Sequence, residues 1–189
     1  MDFRQKKPPM IIKKTNKYSI RLYFDKETEL LIFNLWQRLQ KIGLTVPNSG
    51  IGQKPHITIG STNKFAINSL KEKFIAYSNQ VKCFNVQFNS LGFFINNKVL
   101  YLSPVMTFDI LQAHFKFQEM FKKCFYQQED FFQLNQWEPH CTLAINYQEE
   151  NFFYIIRYNK KISFSNRRTN SIIWHCNFGR KQGSVCWRL

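Results

Sequence analysis

Negative charge is scarce in this chain: 12 Asp and Glu stand against 27 Lys and Arg in 189 residues, a formal charge of +15. The shortage excludes an acidic solvating domain and points to a polyanionic partner, nucleotide or RNA before others, because bound phosphates release their counterions. Abundant Lys, Asn, Phe and Ile also match an AT-rich coding bias, which accounts for many lysines but not for the missing Glu. Paired cysteines are missing too. The five, Cys83, Cys124, Cys141, Cys176 and Cys186, are odd in number, scattered and in no C-x-x-C pair, which fits neither a disulfide scaffold nor a zinc ribbon. Reduced thiols in a cytoplasmic setting are the expectation. There is no N-x-[ST] sequon, no apolar run near the ~20 residues of a membrane span, and no hydrophobic signal core in Met1 to Pro9. No membrane partner is therefore expected.

What the chain has in quantity is apolar and aromatic mass: 44% hydrophobic residues, 17% aromatic, with 20 Phe. That composition excludes intrinsic disorder, and 189 residues suffice for a core without metal or disulfide. Residues 1–17, with six Lys or Arg, one Asp and two Pro, lack a sustained period and read as a flexible basic arm. The remainder, 18–189, reads as a single domain.

Ile20, Leu22 and Phe24 alternate with Ser19, Arg21 and Tyr23, the pattern of a half-buried strand. Asp25 then caps a predicted helix with an acidic first turn, an apolar face of Leu31, Leu35, Leu39 and Ile42, and a stop at Lys41-Ile42-Gly43. A Pro, Asn, Ser and Gly loop leads to a short strand from Pro55 to Ile59. A second helix is predicted from Lys64 to about Tyr77, and strands over 84–104 joined at Asn96-Asn97. Thr107 and Asp109 open a helix predicted to reach Phe125. Another short strand runs from His140 to Ile145. A helical stretch near 149–159 and strand-like runs at 162–178 and 184–189 complete the reading. The order strand, helix, loop, short strand, helix occurs twice, and without βαβ alternation it favours an α+β class with antiparallel sheets.

The chemistry sits in that repeat. Pro55-His56-Ile57-Thr58-Ile59 and Pro139-His140-Cys141-Thr142-Leu143 share one pattern, Pro, His, apolar, Thr, apolar, 84 residues apart. A strand turns alternate side chains to one face, so His56 and Thr58 share a face, as do His140 and Thr142, while Ile57 and Cys141 turn to the core. Two imidazoles can divide proton removal from proton donation, and two hydroxyls can donate to phosphoryl oxygens. No metal is required by such a set.

The doubled His-x-Thr, with Leu91-Gly92-Phe93-Phe94 and Val99 to Pro104 before the second long helix, resembles the 2H phosphoesterase superfamily, the LigT-like 2'-5' RNA ligase and cyclic phosphodiesterase group. The resemblance covers most of the chain from about Tyr18. It implies a bilobal duplicated α+β fold, with antiparallel sheets lining a central groove and helices outside. It also implies catalysis by His56 and His140 without cofactor or metal, and phosphate contacts from Thr58 and Thr142. The substrate expected is RNA or an oligonucleotide with a 2',3'-cyclic phosphate end or a 2',5' linkage, with reverse ligation as an accompanying activity. A nucleotide messenger (2',5'-oligoadenylate or a cyclic oligonucleotide) and a non-catalytic RNA-binding module are the alternatives.

Other residues have a plainer reading beside the functional one. Trp137 could stack a nucleobase, and Arg167 and Arg168 could contact phosphate, but aromatics are abundant here and charged pairs in loops are usually only solvated. His114 inside a helix reads as packing. His175-Cys176 matches no zinc spacing, since neighbours on a strand point to opposite faces.

Overall fold

The structure, a computed structural model, describes residues 18–47, 53–65, 70–148 and 150, and the backbone of 172–173, 176–179 and 184–187. The basic arm, Arg167, Arg168, His175 and, apart from Glu150, the helical stretch predicted near 149–159 lie outside the described residues.

Strand β1 (Tyr18–Phe24) leads through helix α1 (Lys26–Lys41) to β2 (His56–Phe65). Helix α2 (Leu70–Gln80) is followed by the hairpin β3 (Phe88–Phe94) and β4 (Val99–Pro104), then α3 (Phe108–Phe121), β5 (Phe125–Gln128) and β6 (Cys141–Ile145). Short strands β7 (Ile172–Ile173), β8 (Cys176–Gly179) and β9 (Ser184–Trp187) end the described chain. The main sheet runs β3-β4-β6-β2-β1-β7 with β5 beside β2, and every pairing in it is antiparallel. β8 and β9 pair separately. The fold is thus a mixed one, helices with antiparallel sheet, as the absence of βαβ alternation implies.

Helix α1 starts and stops where the sequence says. The Asp25 carboxylate accepts from the Thr28 amide at 2.9 Å and from its hydroxyl at 2.8 Å. At the other end Gly43 sits at φ +86°, and the Leu44 and Gly43 amides donate back to the Leu39 and Gln40 carbonyls. That double bond requires a left-handed residue, which glycine supplies without strain. The core face is rotated from the expected one: Ile32, Leu35, Trp36 and Leu39 are buried, whereas Leu31 is 50% exposed. At 100° per residue the stripe centres near Ile32 and Leu39, and Leu31 falls outside its edge.

Two predicted helix boundaries fail for one shared reason. Lys64 and Phe65, expected to open α2, belong to β2, and Phe125, expected to end α3, belongs to β5. The register pairs Lys64 with Tyr126 and Phe65 with Phe125, so each segment supplies the other's backbone partners from 60 residues away. Between Phe84 and Gln87 the alternation holds as burial but not as a strand: Phe84, Val86 and Phe88 are buried, and β3 begins only at Phe88.

The core lies between the helices and one side of the sheet. A row of mutually opposite residues crosses four strands, Leu22, Ile57, Cys141 and Leu102, each at most 1% exposed. Burial of such side chains contributes roughly 1.5–3 kcal/mol apiece. With this row turned inward, its neighbours along each strand must face the other way.

Candidate functional site

Those neighbours are the motif residues. Ile57 lies directly opposite Cys141, both fully buried, and His56, Thr58, His140 and Thr142 are all half-buried on the opposite side of the sheet. In an antiparallel pair this register sets His56 across from Thr142 and Thr58 across from His140. The structure therefore brings together the four residues that the sequence pattern singles out, on two adjacent central strands of one sheet and, for His140, at the residue that leads directly into β6.

Each imidazole is held in the same way. His56 Nδ1 lies 2.7 Å from the Lys54 carbonyl oxygen, and His140 Nδ1 lies 2.8 Å from the Glu138 carbonyl oxygen. A carbonyl only accepts, so Nδ1 carries the proton in both neutral rings and Nε2 is the unprotonated nitrogen. The proline between acceptor and histidine accounts for the repeated geometry. Pro55 and Pro139 fix their own φ and hold Lys54 and Glu138 extended, which aims the two carbonyls along the chain toward the ring.

The acceptor residues are anchored in turn. Lys54 Nζ pairs with Glu29 Oε2 of α1 at 3.3 Å, and the Glu138 carboxylate accepts from the Tyr101 hydroxyl of β4. Tyr101 opposes Thr142, and its ring sits 5.2 Å from His140. Phe94 stacks on Tyr101 with centroids 4.3 Å apart and meets His140 edge-on at 4.8 Å. Gly92 stands opposite Tyr101, and a Cβ there would collide with the phenol ring. Glycine at this position is what lets the ring lie flat over β3.

Two tryptophans fix the strands themselves. The β2–β6 pairing consists of the single pair Ile57 and Cys141, so carbonyls on either side of it need other donors. Trp36 Nε1 donates to the Thr142 carbonyl and Trp137 Nε1 to the Thr58 carbonyl, both at 3.0 Å. Trp137 is placed as a brace for β2, and one face of its ring is stacked on His114 at 4.1 Å. His114 is buried in α3 and donates through Nε2 to the Phe132 carbonyl at 2.9 Å, a packing role as expected. Among the described residues, no protein group bonds the Thr58 or Thr142 hydroxyl.

Sequence reasoning missed Arg21, Trp36, Tyr101 and Glu138. Arg21 lies opposite Thr58 on the motif face, its Nε donating to Ser19 Oγ at 3.0 Å. Its place in the alternating β1 pattern was visible. What it would sit beside was not.

The electrostatics of the two rings differ. Burial first, and the Arg21 guanidinium second, hold the His56 imidazole down from 6.5 to about 3; the Lys54 carbonyl opposes this and His140 adds a smaller decrease. Burial also lowers His140, but there the Glu138 carbonyl bond and carboxylate pull upward. Burial pushes the Cys141 thiol up to about 12, so it stays protonated on the core side. Among the described residues no cluster of three or more His, Cys, Asp or Glu is placed to hold a metal ion. None of the helices in the described part is long and apolar enough to cross a membrane. No family model matches the chain, and no curated protein is a significant match to it.

Proposed function

We propose that this protein is a metal-independent phosphodiesterase of the 2H type, acting on RNA or oligonucleotides at 2',3'-cyclic phosphate ends or 2',5' linkages. The observation that carries the reading is the register of Ile57 against Cys141, with His56, Thr58, His140 and Thr142 on the opposite side of the sheet. In this reading β1-α1-β2 and β4-α3-β6 are the inner parts of two duplicated lobes, and the motif face is the floor of the groove between them.

A phosphate over the Ile57–Cys141 row would have an imidazole Nε2 on each side. One neutral ring takes the proton of the attacking water as its oxygen bonds to phosphorus. The other ring, protonated, delivers its proton to the departing ribose oxygen as the P–O bond breaks. The two hydroxyls donate to the non-bridging oxygens, where negative charge grows in the transition state. Both rings lie in a partly desolvated setting, the condition under which fixed donors act most strongly.

The test is a mass-resolved turnover panel in the presence of EDTA: a 2',3'-cyclic mononucleotide, an RNA with a cyclic phosphate end, a 2',5'-oligoadenylate and a cyclic dinucleotide. Turnover of either of the first two that is lost in His56→Ala and in His140→Ala is the expected result. Turnover confined to the oligoadenylate or the cyclic dinucleotide would reassign the substrate to a nucleotide messenger. Binding without cleavage across the whole panel would overturn the enzymatic reading in favour of an RNA-binding module.

A further inference from the structure

The two motifs match in sequence and in how their histidines are held, yet their surroundings carry opposite charge. On the His56 side, β1 places Arg21 directly across from Thr58, two residues from His56 on the same face. On the His140 side, the Glu138 carboxylate is held by the Tyr101 hydroxyl, whose ring lies 5.2 Å from the imidazole. We infer that Arg21 and Glu138 fix the direction of the reaction, making His56 the general base and His140 the general acid. The assignment rests on the phosphodiesterase reading and adds to it two positioning residues and a polarity.

The other groups around the two rings leave this asymmetry in place. β1 also presents Tyr23, whose ring is 5.9 Å from His56. His140 leads directly into β6, while the Cys141 thiol lies in the core on the other side. The Lys54 ammonium, which would otherwise add to Arg21, is paired with Glu29 of α1. Around His140, β4 supplies Tyr101, β3 supplies the uncharged Phe94, and β2 supplies His56. Among the described residues, the fixed charge acting on His56 is thus the Arg21 cation and that acting on His140 is the Glu138 carboxylate.

A cation destabilises an imidazolium and keeps His56 neutral, ready to accept a proton. A carboxylate stabilises one and keeps His140 able to donate. The lowering of His56 by Arg21 and the upward pull of Glu138 on His140 have the required signs. The nucleophile then enters over His56, and the leaving oxygen departs over His140. Arg21, beside Thr58, is also placed to meet the phosphate's negative charge.

The experiment pairs an NMR titration of the imidazoles in the substrate-free protein with pH–rate profiles on a 2',3'-cyclic mononucleotide, for the wild type, Arg21→Gln, Arg21→Lys and Glu138→Gln. His56 is expected to titrate below His140. Arg21→Gln should move the acid limb to higher pH, with about threefold less rate at a fixed pH on that limb, the size of a half-unit shift. Arg21→Lys should leave the limb in place. Glu138→Gln should move the alkaline limb to lower pH. His140 titrating below His56 in the wild type, or limbs that stay fixed in both neutral variants, would overturn the assignment while leaving the phosphodiesterase reading intact. Titrations in the expected order with no turnover of any substrate would overturn that reading and the roles with it.

Discussion

The indole of Trp36, in the middle of α1, donates to the backbone carbonyl of Thr142, 106 residues further along the chain, at 3.0 Å. Trp137 makes the corresponding bond to Thr58. Each motif strand is therefore braced by a tryptophan at the residue that carries its hydroxyl.

Trp36→Phe keeps most of the buried ring and removes only the donor. An orphaned buried carbonyl costs about 1–3 kcal/mol. The expected outcome is a lower thermal midpoint together with a fall in kcat, because Thr142 loses its support; KM for a mononucleotide should change less. Unchanged kcat at full stability loss would show that the brace serves only the fold.

His56→Ala and His140→Ala each remove a half-buried ring from the face away from the core. Loss of one proton-transfer partner should lower turnover by roughly 10²–10⁴ in either variant. Circular dichroism should stay unchanged. Two variants that both retain most of the rate would defeat the two-histidine mechanism.

Gly92→Ala puts a methyl group into the Tyr101 ring. The ring must move, and with it the Tyr101 bond to Glu138 and the stack with Phe94. A loss of about 1–3 kcal/mol in stability is expected from such overpacking, and urea denaturation measures it. Gly92→Ala combined with Tyr101→Ala should recover part of that loss, since the second change removes the ring that collides.

Acid should weaken the fold through its neutral histidines. Buried His114 is held down to about 4, and His56 is lowered also, both chiefly by burial. Below 6.5 the unfolded chain takes up protons that the folded one refuses, so stability is complete above 6.5 and falls as pH drops toward the folded values. His114 alone accounts for an order of 2–3 kcal/mol across that window. Urea midpoints at pH 7.5 and pH 4.5 should show the drop, and His114→Gln should flatten it.

The His56 and His140 rings are both lowered, so under the proposed mechanism the bell of kcat/KM should lie on the acid side of 6.5. Bound phosphate adds negative charge beside the rings and should move the limbs of kcat to higher pH than those of kcat/KM. Coincident profiles would indicate that the phosphate does not sit between them.

Capture of long RNA should fall steeply with salt, and that of a cyclic mononucleotide only slightly, because only the longer chain can reach the surrounding Lys and Arg. Equal salt dependence of KM for the two substrates would return the +15 charge to codon bias.

Local chemistry settled much of this protein at the level of sequence. Alternation in β1, the Asp25 cap, the glycine stop at Gly43 and the two Pro-His-x-Thr strands depend on neighbours within a few residues, and their forces act wherever the chain folds. Period two alone put His56 with Thr58 and His140 with Thr142. Long-range pairing decided the rest. Lys64, Phe65 and Phe125 carry helical spacing but are strands, because β2 and β5 meet there and pair their backbones. Arg21 and Glu138 are two ordinary charges until the β1–β2 register and the Tyr101 hydroxyl set one beside each motif. The sequence thus determined which groups could do chemistry, since that is written in residue type and strand period. The tertiary structure alone decided which charges surround them, since charge acts through space and those partners lie on other strands.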